Sequence, residues 1–112
     1  MNDGIETTIC KGMTNITPSI EWDTAHSDGD ILRVHLATVS PHLDILAIPR
    51  ELLEDISGMS GATCQEMASR IDFRIEAALA TAWRQGRQQP ICEPGTSIVR
   101  NMETMLSADD FE

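Results

Sequence analysis

Hydrophobic side chains recur at helical spacing between Thr63 and Arg87, and this is the clearest pattern in the chain. They stand three or four positions apart on one stripe, at Met67, Ala68, Ile71, Ile75, Ala78, Leu79 and Ala82. Thr63 and Glu66 have the spacing of a capping box at a helix start, and Gly86 suits the left-handed residue that ends a helix. The pattern predicts one long helix over 63–87, about 35 Å in length.

Alternation of apolar and polar residues predicts a sheet before this helix. Ile20 and Trp22 mark a short first strand. Asp28-Gly29-Asp30 fits a tight hairpin turn, because Asp-Gly tolerates the positive backbone dihedrals that such a turn requires. Residues 31–39 then alternate, and the better core face carries Leu32, Val34, Leu36 and Thr38.

A turn at 40–42 leads to the third predicted strand, over 43–48, and then to a short helix. Pro49 suits the first turn of that helix, where its missing amide hydrogen costs nothing. The helix is expected to extend through Ile56, with Leu52, Leu53 and Ile56 on its buried side. These elements predict an α+β fold, in which one long and one or two short helices pack a small antiparallel three-stranded sheet.

The two ends of the chain carry weaker patterns. Residues 1–17 lack sustained periodicity and predict a flexible N-terminal arm, so that residues 18–112 form a single α+β domain. Residues 88–95 contain two prolines and a glycine and predict a loop. The pattern over 96–106 fits a helix or an added edge strand, and we favour the helix. Phe111 in the acidic tail can pack back against the domain.

Four short segments give the chain a resemblance to a known family. They are Ile48-Pro-Arg-Glu-Leu-Leu-Glu-Asp, Arg74-Ile-Glu-Ala-Ala-Leu-Ala, Gly86-Arg87 and Leu106-Ser-Ala-Asp-Asp-Phe. Their order, after hairpin strands, resembles the bacterial domain-of-unknown-function 1488 family over about residues 19–111. The chain departs from that pattern in its N-terminal arm and between Gly86 and Leu106. The resemblance implies an α+β fold with a small sheet packed by helices, and it implies no catalytic residues.

Charge narrows the classes of partner. The 112-residue chain has a formal net charge of −10, from 18 acidic and 8 basic residues. Only residues 62–90 are not acidic, with 3 acidic and 4 basic residues. Nucleic-acid binding draws on lysine and arginine, so this composition argues against a direct nucleic-acid partner. A protein partner with a basic surface is the natural complement.

Location is predicted from what the sequence lacks. Its start, Met-Asn-Asp-Gly, has no basic region followed by an apolar stretch, and no apolar run approaches the ~20 residues of a membrane helix. Three cysteines, at Cys10, Cys64 and Cys92, are odd in number and widely spaced, which favours free thiols in a reducing compartment. We therefore expect a cytoplasmic protein without a membrane partner.

No arrangement of residues predicts catalysis or a cofactor. The cysteines and the three histidines lack the paired short spacings of metal ligands, so no metal site is expected. Cys64 falls in the first turn of the predicted long helix, where the helix dipole could activate a thiol. No histidine is placed beside it by the sequence, and a structural thiol is the favoured interpretation. The chain is thus predicted not to be an enzyme, with a thiol enzyme or small hydrolase as the alternative.

Two charged faces are candidate partner-binding surfaces. The short helix has Glu51, Glu54 and Asp55 on one side, and we expect Asp28 and Asp30 nearby in the fold. Like charges at this spacing repel by a few tenths of a kcal/mol, on the order measured in helices, and a cationic partner would offset that repulsion. A plain solvated face is the alternative interpretation.

The second candidate surface lies on the predicted long helix and comprises Arg70, Phe73, Arg74, Trp83 and Arg84. Arginine favours planar contacts at interfaces. The alternatives are that the arginines pair with carboxylates of this chain, Glu66 with Arg70 among them, and that the aromatic residues only widen the core stripe.

These features predict a non-enzymatic, acidic protein–protein interaction or regulatory module, for which a homodimer is one form. The alternative is a phage or mobile-element inhibitor that mimics nucleic-acid charge and blocks a nuclease or a CRISPR-type effector. Such a mimic requires ordered carboxylates on one surface.

Overall fold

The computed structural model describes residues 17–38 and 42–112; the predicted N-terminal arm at 1–17 lies outside this part except for Thr17. The strands are β1 (Ser19–Asp28), β2 (Ile31–Ala37), β3 (Leu43–Pro49), β4 (Gln89–Cys92) and β5 (Val99–Met105). The helices are α1 (Arg50–Ser57), α2 (Cys64–Arg70) and α3 (Asp72–Arg84), followed by a 3₁₀ turn over Ala108–Phe111.

The fold is α+β, but the predicted three-stranded antiparallel sheet is wrong. The described strands form one five-stranded mixed sheet in the order β1-β2-β3-β5-β4. The three predicted strands make its antiparallel half, and β5 pairs with β3 in parallel. The loop predicted at 88–95 contains β4, and the helix favoured at 96–106 is β5.

The strand at 99–105 forms because β3 would otherwise have an unpaired edge beside the core. Leu46 and Ile48 of β3 are fully buried, and buried backbone groups need hydrogen-bond partners. β5 supplies them, and the Leu106 amide extends the pairing by donating to the Ala47 carbonyl at 3.0 Å. Thr104 and Leu106 are both buried, so the segment alternates as a strand does.

The β1–β2 hairpin is confirmed, and it contains a large bulge. Gly29 in its turn has a φ of 65°, a conformation that a side chain would strain. The register shifts between Glu21 and His26. Inside the bulge the Thr24 hydroxyl donates to the Glu21 carbonyl at 2.7 Å and accepts from the His35 amide at 2.8 Å. The side chain thereby satisfies a strand amide where the ladder is interrupted.

The predicted long helix is broken at Ile71. α2 ends at Arg70 and α3 begins at Asp72, with Ile71 between them at φ −122° and ψ 28°. The Asp72 carboxylate accepts from the Phe73 amide at 2.7 Å, a local bond that competes with helix continuation. The capping box of Thr63 and Glu66 at the start of α2 is confirmed.

All three helices pack on one face of the sheet. The predicted core residues of β2, Leu32, Val34 and Leu36, are buried, while Thr38 is partly buried and donates to Asp44 at 2.8 Å. The predicted helix stripe is buried throughout, at Met67, Ala68, Ile71, Ile75, Ala78, Leu79 and Ala82. Leu52 and Leu53 of α1 are buried, whereas Ile56 is partly buried against the core. The domain therefore has two layers, and no helix of the described residues covers the opposite, outer face of the sheet.

Candidate functional site

The hairpin turn and the start of α1 lie against each other. The Arg50 amide donates to the Asp30 carbonyl at 2.7 Å, because Pro49 ends β3 beside the turn and α1 begins at the next residue. A concavity of about 380 Å³ opens at this junction. It is lined by Asp30, Ile31, Pro49, Arg50, Glu51 and Glu54. Three of the five acidic residues predicted to bind a partner thus come together, and we call this feature the acidic concavity.

The concavity holds one cation of its own. Arg50 pairs with Glu54 at 3.2 Å and donates to the Ala62 carbonyl at 2.6 Å. The guanidinium of Arg50 is therefore occupied by contacts within this chain. Asp30 and Glu51 have no ion-pair partner among the described residues, and both are exposed. The rim of the concavity consequently keeps an excess of negative charge.

The other two predicted acidic residues lie at the margins of the concavity. Asp28 pairs with Arg33 on the outer face of the sheet, and Arg33 also bonds Glu103 at 3.0 Å, so the Asp28 carboxylate already has a cationic partner within the chain. Asp55 is exposed on α1, one turn beyond Glu51, where neither has a cationic partner among the described residues. Asp55 can extend the negative surface, whereas Asp28 adds little to it.

The second predicted surface is divided. Phe73 is 71% exposed, but Trp83 is partly buried and packs against the core, so Phe73 offers much the larger surface to a partner. Arg70, Arg74 and Arg84 are exposed and form no ion pair within the described residues. Within the described residues, none of these three arginines pairs with a carboxylate of this chain.

The predicted pair of Glu66 with Arg70 is absent because Glu66 serves the helix start. Its carboxylate accepts from the Thr63 amide at 2.9 Å and from the Thr63 hydroxyl at 3.2 Å. These hydrogen bonds, the backbone one first, hold the pKa of the Glu66 carboxyl below its ordinary value of 4.5. The carboxylate of Glu66 is therefore used at the helix start, and Arg70 has no ion pair with it or with any other described residue.

The thiol of Cys64, the alternative nucleophile, is enclosed. Cys64 is buried, with its Sγ 3.7 Å from Arg50 Nη1. Reaction with a substrate requires access that this packing denies. Within residues 17–38 and 42–112, no group of three or more His, Cys, Asp or Glu side chains is arranged to hold a metal ion. Cys10, which was also considered as a ligand, lies outside the described residues.

The sequence interpretation missed the outer face of the sheet. Leu43, Ile91 and Met105 are exposed there, on three neighbouring strands. Strand alternation over 99–105 is a partial signal for this face, since it puts Glu103 and Met105 on one side of the strand. The position of Met105 opposite Ala47 follows only from the β3–β5 pairing. On the same face, the ion pair of Arg33 with Glu103 spans β3.

Comparison with known proteins yields no relative. No family model matches the chain, and neither a curated protein nor a solved structure matches it. In the part of the chain that the structure describes, no helix is long and apolar enough to cross a membrane.

Proposed function

We propose that this protein is a non-enzymatic interaction module, and that the acidic concavity binds a lysine or arginine side chain of a partner protein. The observation that carries the proposal is the convergence of Asp30, Glu51 and Glu54, from a hairpin turn and a helix, around one concavity. Two separate elements have to meet to form it, and the Arg50 amide hydrogen bond to Asp30 holds them together.

The lining of the concavity matches a long cationic side chain. Ile31 and Pro49 offer apolar surface to the methylene stem of such a side chain, while Asp30 and Glu51 offer carboxylates to its charged end. Charge-assisted hydrogen bonds of this kind are about twice as strong as neutral ones. The net charge of −10 adds long-range attraction for a basic surface and raises the association rate.

Magnitudes favour a protein partner over nucleic-acid mimicry. Duplex DNA presents about one charge per ~1.7 Å of its axis. Two of the five predicted carboxylates, on Asp28 and Glu54, are paired with Arg33 and Arg50. The unpaired charge around the concavity is therefore sparse beside that of a duplex, which supports recognition of individual cationic side chains.

Affinity capture from the source cell with matched variants tests the proposal. The test variant is Asp30→Asn with Glu51→Gln, and the control variant is Asp109→Asn with Glu93→Gln. Both remove two exposed carboxylates, but the control residues do not line the concavity. We expect the test variant to lose at least ~90% of a specific partner at about 0.1 M salt, because two charge-assisted bonds are removed.

The control variant is expected to retain that partner, and the wild-type interaction is expected to weaken as salt rises. Equal loss in both variants would mean that only the total charge matters. Retention by the test variant would place the partner elsewhere on the molecule. Displacement of the partner by duplex DNA would instead support the mimicry alternative.

A further inference from the structure

The solvent side of α3 carries a set of residues at helical spacing that do not belong to the hydrophobic core. Phe73, Ala77, Ala80 and Arg84 follow one another at steps of four, three and four, so they share one side of the helix. Phe73, Ala77 and Arg84 are exposed and Ala80 is half-buried, while the core stripe lies on the opposite side. We call these four residues the α3 seam.

The α3 seam is complementary to itself when reversed. We propose that a second copy of this chain docks on it, with the two α3 helices antiparallel about a two-fold axis between Ala77 and Ala80. That axis places Ala77 of one copy against Ala80 of the other. It also places Phe73 of each copy against Arg84 of the other, because Phe73 lies four positions before Ala77 and Arg84 lies four positions after Ala80. In a two-fold interface each contact occurs twice, so the residue at one end of the seam must be complementary to the residue at the other end. Phe73 and Arg84 meet this requirement.

The chemistry of the two ends fits this arrangement. A guanidinium stacked on an aromatic ring is favourable, and it recurs twice in a two-fold dimer. Arg84 has no ion pair within the described residues, so its guanidinium is available for such a contact. Phe73 is 71% exposed and packs against little of its own chain.

Charge also selects this face for contact between copies. Two chains of net charge −10 repel each other over most of their surfaces. Residues 62–90 are the exception, with 3 acidic and 4 basic residues. Two copies therefore meet there with the least repulsion. This inference is independent of the acidic concavity, which involves other residues.

The alanines allow the helices to approach closely. Helices pack at axial distances of about 8–10 Å, and small side chains at the contact favour the lower end of that range. α3 has 13 residues and is about 20 Å long, so the interface is small. Interfaces of this size are weak and transient, and the dimer is expected to form between about 10 μM and 1 mM protein.

Sedimentation equilibrium over that concentration range tests the proposal, and its key variant exchanges the residues Phe73 and Arg84 with each other. Phe73→Arg puts two guanidiniums opposite each other at both ends, and we expect it to weaken association about thirtyfold or more. The double variant Phe73→Arg with Arg84→Phe restores the aromatic–guanidinium pair and should return association to within about threefold of wild type. Ile98→Arg adds the same charge at an exposed position outside the seam and should leave association unchanged.

Two results of the sedimentation experiment would contradict the proposed dimer. A wild type that remains monomeric up to about 1 mM, or a swap that associates no better than Phe73→Arg, overturns the antiparallel seam. Circular dichroism checks that the variants are folded, which is expected because both positions are exposed.

Discussion

Replacing Asp110 with asparagine should destabilise the fold far more than the same replacement at its neighbour Asp109. Asp110 pairs with Arg87, whose position just beyond α3 lets it reach the 3₁₀ turn near the C-terminus. The same carboxylate oxygen accepts from the Ser107 amide at 2.8 Å and from the Ser107 hydroxyl at 3.4 Å. The side chain of Asp110 is only 2% exposed, whereas Asp109 is exposed.

The magnitude follows from burial. Removing one partner of a buried ion pair costs about 3–5 kcal/mol. The Arg87 side chain is 34% exposed, so water partly stabilises the freed guanidinium, and asparagine keeps one acceptor oxygen. We therefore expect Asp110→Asn to lower the free energy of unfolding by about 2–3 kcal/mol, with a fall in Tm of roughly 10 °C.

Urea denaturation followed by circular dichroism measures this difference. Asp109→Asn is the matched control, since it removes the same charge from the same turn, and its effect should stay within about 0.5 kcal/mol. Both variants keep Phe111, which packs against the core. Equal stabilities of the two variants would refute the reasoning that the Asp110 carboxylate holds the C-terminal turn to the domain.

Three further outcomes are expected, all measured by denaturation at low protein concentration. Thr63→Ala should lower the free energy of unfolding by about 1 kcal/mol, because it removes the N-cap of α2, and Ser60→Ala should change it little; similar losses would contradict the capping box. Ile75→Ala should cost about 3 kcal/mol and Phe73→Ala less than about 0.5 kcal/mol, because the first is fully buried and the second exposed; the reverse order would contradict the packing of α3. The hydrogen bonds from Thr63 to the charged Glu66 carboxylate lower its pKa and stabilise the fold above pH 4.5. This contribution to stability is lost as the pH falls from 4.5 through the lowered pKa and the carboxylate is protonated. Glu66→Gln should therefore be less stable than wild type at pH 7 and equal to it in acid, whereas a gap that persists in acid would remove this explanation.

The elements that the structure confirms could each be predicted from residues that are close together in the sequence. The Asp28-Gly29-Asp30 turn depends on dihedrals that few residues adopt, and Gly29 has one of them. The capping box at Thr63 depends on two side chains three positions apart. The core face of β2 depends on alternation alone. Each of these is decided within a few residues, so sequence could predict it.

The errors concern elements that depend on distant neighbours. The helical and extended patterns of 96–106 were both acceptable locally, and the free edge of β3 decided between them. β4 then pairs with β5, although Pro90 makes it a poor central strand, because it lies at the edge of the sheet. The break at Ile71 had a local signal in Asp72, a residue that favours helix starts, but the continuous apolar stripe concealed it.

The candidate site was predictable in part for the same reason. Helical spacing placed Glu51 and Glu54 on one side of α1, and the turn signal placed Asp30 in a hairpin. Which arginines would neutralise which carboxylates could not be predicted, because Arg33 meets Glu103 only through the β3–β5 pairing. The apolar outer face depends on that same pairing.

A ¹H–¹⁵N titration with a blocked Gly-Arg-Gly peptide shows whether the acidic concavity binds a cationic side chain. A single arginine side chain is a small probe, so shift changes report where a cation binds rather than how much total charge attracts it. We expect the changes to concentrate at Asp30, Ile31 and Glu51, and Asp30→Asn with Glu51→Gln to abolish them. Changes spread evenly over the exposed carboxylates, or concentrated away from this junction, would contradict it.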